Sequence, residues 1–499
     1  MEFKNDLEAG FIALPLPVAS GSVDYRAYEL LLRKIDQILV QSGAEAALQR
    51  QAVEMDEQIT ESTKKGVIDK AKRYASYALR CNIARCLSQE SYRKFSVHLA
   101  DSILLRDFCR LDTPYAPKQT PSKSTLQRFE SYYSEDIIRK ITDLITFAGV
   151  DVTSELHNNL DGLLAAVDTE VWLLDTTCMK LDIHHPTDWV LLRDCLKSIT
   201  QSIIQIRKSG VRHRIGNPET FISDMNKLSM EMTQGSKRNT SKKEKKATFR
   251  KMEKLLKRVA NHGEKYFDII QESWEDYGFS EAQANQILRK MRKTLDHVPT
   301  VIHVAHERVI GERPVNNEEK VLSIYEDHAN VYSRGKAGAQ VEFGLQLLLG
   351  ENLDGMIMHW ELIDGKPKND TQHLDGIIDR RNSLPATVQP TFIVGDRGFH
   401  SKKNESSIED EGMESYICPM SPSELKQRLE EEDFRKMTRR RAQTEARIGI
   451  LKNNFLGRKL TTKGYDNQSK QVAWAVLTHN VWVLARQPYI DLLEDEDAA

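Results

Sequence analysis

At 499 residues the chain has room for about two to four domains and for an ample core. Its formal net charge is −2, which excludes bulk positive charge as a source of nucleic-acid affinity and leaves local patches to supply it. Six cysteines, at 81, 86, 109, 178, 195 and 418, form no CxxC pair, which argues for a reducing compartment and against a structural zinc site.

The first residues, MEFKNDLEAGFIALPLP, are acidic at the start and broken by Pro15 and Pro17, so they do not read as a signal peptide. No apolar run reaches the roughly 18 residues that a membrane-spanning helix needs. The expectation is a soluble cytoplasmic protein. From residue 26 to 88, three segments carry apolar residues at i, i+3/i+4 and read as helices. A helix pair is expected to follow through Phe108, then the Pro-broken loop DTPYAPKQTPSK, then a helix opened by a capping box at Ser124-Thr-Leu-Gln127. Two short helices, a loop and a capped helix suit either a helix-turn-helix-like DNA reader or an ordinary helical bundle.

Val171-Trp172-Leu173-Leu174 is a short apolar run ending in Asp175, and reads as a buried strand with an Asp at its C-terminal end. Alternating Met179, Leu181 and Ile183 suggest a second, half-exposed strand. His184 and His185 follow, in a turn or supporting role, and Asp188 is expected to cap the next helix. Residues 190 to about 300 read as helical. Within them, Lys237 to Arg258 holds eleven Lys or Arg against two Glu, a net +9. Such a run is either a solvated helix face or a phosphate-binding surface.

Strands are expected again at VLSIY from Val321, at NVYSRG and at GMIMHWELI, with RGKAGAQVEFG as a turn whose cations and glycines could also approach a phosphate. Thr391-Phe392-Ile393-Val394 is a second buried strand, delivering Asp396 after Gly395. Gly398 is expected to permit a tight turn, Ser401 to open a helix, and SYICP at 415–419 to form a fifth core strand. The acidic runs at 430–433 and 494–497 read as loop and tail, and Gln471 to Arg486 as an apolar closing helix packed on the sheet.

Arg439 to Phe455, RRRAQTEARIGILKNNF, reads as a single helix, with Ile448, Leu451 and Phe455 as its buried stripe. At about 100° per residue, Arg441, Glu445 and Lys452 project within roughly 40° of one another beside that stripe. This is either an ion-paired amphipathic helix or a carboxylate held between two cations. Two strand-end Asp residues and a helix-borne Glu make a plausible cage for hard divalent cations, because Mg²⁺ takes oxygen ligands and needs few carboxylates.

VDTEVWLLDTTCMKLDIHHPTD, FIVGDRGFHSKKN and RRRAQTEARIGILKNNFLGRKL together resemble the three catalytic blocks of bacterial insertion-sequence transposases of the DDE type, which have a ribonuclease H-like core. The last block matches their R-x3-E-x6-K signature at Arg441, Glu445 and Lys452. Its extended form has a Tyr three residues before the Arg, where this chain has Thr438. SYRKFSVHLADSILLRDFCRLDTPYAPKQTPSKSTLQRFE resembles the helical region before the core.

The resemblance implies an α/β, ribonuclease H-like mixed-sheet core with a helical N-terminal region and a helical insertion. The divisions expected are a DNA-binding region over 1–165, the first part of the core over 166–190, a basic insertion over 191–315, the rest of the core over 316–486, and an acidic tail over 487–499. It implies that the protein binds the ends of its mobile element, cleaves them by metal-dependent phosphodiester hydrolysis and joins them to target DNA. Catalytic and metal-binding roles fall to Asp175, Asp396 and Glu445, holding two Mg²⁺ or Mn²⁺ ions about 4 Å apart. DNA-binding roles fall to Arg441, Lys452, Arg397, Lys242, Lys243, Lys245, Lys246, Arg250 and Lys251. The partner implied is double-stranded DNA, element end and target, bound by a homodimer at the nucleoid. A ribonuclease H-like nuclease without strand transfer, or a non-catalytic DNA-binding relative, is the alternative.

Overall fold

The computed structural model describes residues 22–57, 59, 63–111, 120–150, 160, 163–213, 215–237, 241–333 and 341–488. Most of the DTPYAPKQTPSK loop, residues 334–340 of the Gly-rich turn, Arg238, the first residues and most of the tail lie outside them, as do the side chains of Lys237 and Ser333. The chain divides into two units, one formed by Met1–Lys180 and Leu345–Ala499, the other by Leu181–Gly344.

The first unit opens with helices α1 (Val23–Gln41), α2 (Ala44–Met55), α3 (Lys65–Ser88), α4 (Tyr92–Asp101), α5 (Ile103–Phe108), α6 (Lys123–Ser131) and α7 (Glu135–Phe147). Their apolar spacing is realised as expected: Leu32, Ile35 and Leu39 of α1 and Leu79, Ile83 and Cys86 of α3 are buried. Charged residues are buried with them, Arg80 of α3 and Glu45 of α2 among them. Arg80 of α3 donates to Glu45 from Nε at 3.0 Å and from Nη2 at 2.7 Å, which holds the Glu45 carboxyl down at about 2 against the opposing effect of burial. The opening of α6 differs from expectation: Ser122, not Ser124, is the N-cap, its hydroxyl accepting from Thr125 N at 3.3 Å. Pro121 precedes it and cannot donate a backbone hydrogen bond, so the helix begins as soon as a capping hydroxyl is available.

Strand β1 runs from Val171 to Lys180 without a break, so the expected second strand at Met179 is the continuation of the first. Ile183 lies beyond it in coil. The second unit follows. It is a helical body of α8 (Asp188–Lys208), α9 (Pro218–Lys237), α10 (Lys242–Ser273) and α11 (Glu281–Val309), closed by β2 (Asn330–Ser333) and the first residues of β3 (Val341–Glu351). Its core joins Ile199, Ile203, Met252, Leu256, Tyr266, Met291 and Leu295. Asp188 is the first residue of α8, with Thr187 at the N-cap, and its carboxylate accepts from Arg308 at 2.8 Å. His184 Nδ1 lies 3.0 Å from Asp194 Oδ2, and His185 meets Phe343 edge-on.

VLSIY is not a strand. Leu322, Ser323 and Ile324 are buried in irregular chain, where the Ser323 hydroxyl accepts from Tyr325 N and Glu326 N. A serine competing for backbone donors in this way favours a turn. The strand that patterning missed is β3, VEFGLQLLLGE, an almost continuously buried run with too little alternation to stand out.

The sheet completes with β4 (Ile357–Leu362), helix α12 (Leu374–Asn382), β5 (Phe392–Gly395), α13 (Lys402–Asp410), β6 (Glu414–Ile417), α14 (Pro422–Arg428), α15 (Glu432–Arg440), α16 (Ala442–Leu451) and α17 (Tyr465–Ala485). β1 lies between β3 and β5; β5 pairs parallel with both β1 and β6, while β3 pairs antiparallel with β4 and, at its start, with β2. This mixed order, with helices packed on it, is the ribonuclease H-like arrangement. Ser401 caps α13 by accepting from Asn404 N. Glu432 and Asp433 begin α15, where negative side chains suit a helix N-terminus.

The expected single helix over Arg439–Phe455 is interrupted twice. α15 ends at Arg440, Arg441 is the junction, and Lys452–Leu456 is wound as a π-helix before Gly457, at φ +76°, ends it. α17 begins at Tyr465 and is buried over nearly its whole circumference, packing on α7 and the first helices as well as on β4. Asn480 Nδ2 donates to Ile357 O, and Ile357 N donates to Asn480 Oδ1, both at 2.9 Å. One side-chain amide thus takes the place of a neighbouring strand along β4. Asn480→Ala is expected to leave both Ile357 groups buried and unpaired, at a cost of about 2–4 kcal/mol. Urea unfolding measures it, and a loss below about 0.5 kcal/mol would contradict this account.

Candidate active site

The site is built at the C-terminal ends of the parallel strands. β1 and β5 stay paired from Val171↔Phe392 to Leu173↔Val394, and no further. Asp175 lies two residues beyond the last pair, and Asp396 directly follows β5. Asp175 therefore sits at the edge of the parallel part of the sheet, although β1 itself continues. The Thr176 N–H, freed from that ladder, donates to Asp175 Oδ1 at 2.8 Å. Gly398 N–H does the same for Asp396 Oδ1 at 2.7 Å. Each carboxylate is oriented by the backbone one or two residues later.

Strand alternation decides which face meets the helices. Val171 and Leu173 share one face and pack with Val394, Leu353, Phe392, Tyr416 and Met437 of α15. Asp175 has the same parity and so faces the α15–α16 side. There Glu445 stands on the first turn of α16, exposed, and Arg441 at the junction before it, half-buried.

The four groups interact. Burial pushes the Asp175 carboxyl up to about 6; the negative charges of Asp396 and Glu445 add to the rise, while Thr176 N–H and Arg441 oppose it. A fourth carboxylate, Asp370, joins them, unremarked in the sequence because it lies in a polar turn, GKPKNDTQH, with no apolar run before it. Its Oδ1 accepts from Thr176 Oγ1 at 2.8 Å, and burial, with Asp396 beside it, raises its carboxyl too. Among the described residues, no Lys or Arg lies within 4.0 Å of these four carboxylates.

α16 is held by neighbours that the sequence did not single out. Arg447 Nε donates at 3.0 Å to Glu351, which is fully buried at the end of β3, and its guanidinium packs on Gly355, where any side chain would collide. Gln443 reaches Asn352 O at 3.1 Å, and Arg440 reaches Leu353 O at 2.7 Å. These bonds fix the helix that carries Glu445.

Lys452, the C-cap of α16, turns its ammonium to β1, donating to Thr177 Oγ1 at 2.6 Å and to Cys178 O at 2.8 Å. It fastens α16 to β1. Arg397 is exposed at the turn after Asp396.

On α10, Ser241 and Glu244 form a capping box, and Phe249, Met252, Leu256 and Val259 face inward. Lys243, Arg250, Lys251 and Lys254 are exposed on the opposite side, while Lys242 and Lys246 both pair with Glu312. Lys245 is half-buried.

Four carboxylates without a cation at ion-pair range are a donor set of hard oxygens that suits Mg²⁺ or Mn²⁺. Among the described residues, the trio of possible metal ligands whose donor atoms all lie within 4.8 Å of one another is a different one, His400, Glu405 and Glu424. Asp175, Asp396 and Glu445 stand further apart than that.

Comparison with known proteins agrees with this geometry. Residues 319–481 match the family model described as a transposase DDE domain. Over these residues, about a third of the chain, the sequence is similar to a DDE-type transposase domain. The match contains Asp370, Asp396 and Glu445 and begins after Asp175. No curated protein and no solved structure matches the chain. Among the described residues, no helix is long and apolar enough to cross a membrane.

The raised Asp175 carboxyl has a measurable consequence. The folded protein keeps a proton that the unfolded chain releases at its ordinary value of 3.8, so the stability of the metal-free protein falls as pH rises from about 4 through 6. Asp175→Asn is expected to flatten that decline and to stabilise the protein at pH 7 by up to about 3 kcal/mol. Denaturation in EDTA across this range measures it, and a variant less stable than wild type at pH 7 would contradict it.

Proposed function

We propose that the protein is a transposase that binds the ends of a mobile DNA element as a homodimer, cleaves them, and joins the freed 3′-hydroxyls to target DNA. The observation that carries the reading is the convergence of Asp175, Asp396 and Glu445 at one sheet edge, on a chain with a transposase DDE domain. Asp175, Asp396 and Glu445 would hold divalent cations, and the chemistry these would supply is Lewis-acid activation of water or a 3′-hydroxyl and stabilisation of the leaving oxygen. The backbone N–H groups of Thr176 and Gly398 hold two of the carboxylates in a fixed direction, so that less reorganisation remains when DNA arrives.

Arg441, beside Asp175 but not paired with it, holds the phosphate that enters the site, and exposed Arg397 offers a second contact. Lys452 positions β1 and α16 and reaches DNA only if its bonds to Thr177 and Cys178 are exchanged. The exposed face of α10 binds flanking phosphates through Lys243, Arg250, Lys251 and Lys254, with Lys245 near its start. Lys242 and Lys246 contribute once DNA displaces Glu312, because exposed pairs of this kind are worth only about 0–1 kcal/mol.

Asp175→Ala, Asp396→Ala and Glu445→Ala are each expected to abolish Mg²⁺-dependent cutting of element-end DNA while leaving a folded protein. Near wild-type cutting by any of them removes that residue from the site. Cutting without joining, when a target duplex is supplied, would make the protein a nuclease instead.

Replacing Lys243, Arg250, Lys251 and Lys254 by Gln tests the DNA surface. If all four meet phosphates, the slope of log affinity against log salt should fall by about 3–4, equally on end and random DNA. Parallel salt plots for wild type and variant would show that α10 is a solvated face and would move end binding to the N-terminal helices.

A further inference from the structure

Asp370 is the least expected member of the carboxylate group, and it bridges the two Asp-bearing segments. Its Oδ1 accepts the hydroxyl of Thr176, whose own N–H holds Asp175. Its other oxygen, Oδ2, lies against Gly398, whose N–H holds Asp396. A methyl group added at Gly398 would overlap Asp370 Oδ2 and stand 2.9 Å from Asp396 Oδ1, so both oxygens border the space of a single methyl. Gly398 keeps a negative φ; it is required here by space and not by backbone conformation.

The turn carrying Asp370 is also tied to the turn carrying Asp396. Asn404, almost wholly buried, donates from Nδ2 to Thr371 O at 3.0 Å and to Phe399 O at 2.8 Å. A carboxylate used only to brace a fold would be expected to pair with a cation. Asp370 has none within 4.0 Å among the described residues, and it turns one oxygen toward Asp396.

We infer that Asp370 is a positioning residue of the cation site: it fixes Asp175 through Thr176, borders Asp396 across Gly398, and adds a fourth negative charge that draws a divalent cation into the site. The inference rests on the proposed role of Asp175, Asp396 and Glu445, and its test separates the two.

The test is calorimetric titration of Mn²⁺ into the full-length protein without DNA, beside melting in EDTA. Asp370→Asn keeps the shape and an oxygen to accept from Thr176 but removes the charge. It is expected to weaken Mn²⁺ binding roughly 10- to 100-fold, the usual range for groups that support a metal's ligands, with no fall in melting temperature. A brace without a role toward the cation predicts wild-type Mn²⁺ affinity, and that result overturns the inference. If Asp370→Asn does not fold, Thr176→Val, which keeps the Asp370 charge and the Thr176 N–H but removes the hydroxyl that holds Asp370, must weaken Mn²⁺ binding instead; unchanged affinity there overturns it equally. Asp396→Asn is the control. Wild-type affinity in that variant means the cation site itself is misread, whereas loss there with none in Asp370→Asn defeats only the role given to Asp370.

Discussion

Like charges held close together at one edge of a sheet are the constraint on which the rest of this structure depends. Burial raises the cost of ionising Asp175 and Asp370, and the charges of Asp396 and Glu445 beside Asp175, and of Asp396 beside Asp370, add to it. The fold meets that cost with oriented backbone donors and with anchors away from the charges. α16 is fastened by the Arg447–Glu351 ion pair, by Gln443 and Arg440 on the backbone after β3, and by Lys452 on β1. None of these cations neutralises the site. That leaves a set of carboxylates whose repulsion is relieved by a ligand of opposite charge, which is the electrostatic requirement of a metal-dependent phosphoryl-transfer centre.

A second consequence follows for nucleic acid. The chain is slightly acidic overall and its candidate catalytic edge is acidic, so under the proposed function DNA would be held by positive charge placed elsewhere. α10 carries such charge in ordered form. Its buried stripe, from Phe249 to Val259, fixes the rotation of the helix, and the unpaired cations then share the opposite face. A charge run in an irregular segment would have no such direction.

Much of this was legible in the sequence, and the failures have physical causes. The apolar runs before Asp175 and Asp396 were read correctly as strands, because four consecutive buried residues between polar neighbours leave few alternatives. Their placement at one edge follows from parallel pairing. The length of β1 was not legible, since Asp175, of a residue type depleted in strands, interrupts its buried run. β3 escaped because both its faces are covered, and the π-turn after Leu451 cannot be read from helical spacing. Asp370 was invisible for another reason: its role comes from two contacts far apart in the chain, Thr176 and Gly398, and no local pattern encodes either.

The most direct test is anomalous scattering from Mn²⁺ in crystals of the protein bound to element-end DNA. The account predicts manganese within about 2.0–2.6 Å of carboxylate oxygens of Asp175 and Asp396, with Glu445 completing the site and the cleavable phosphate against the metal. Manganese bound only at His400, Glu405 and Glu424, with the Asp175 edge empty and the DNA end elsewhere, would contradict it.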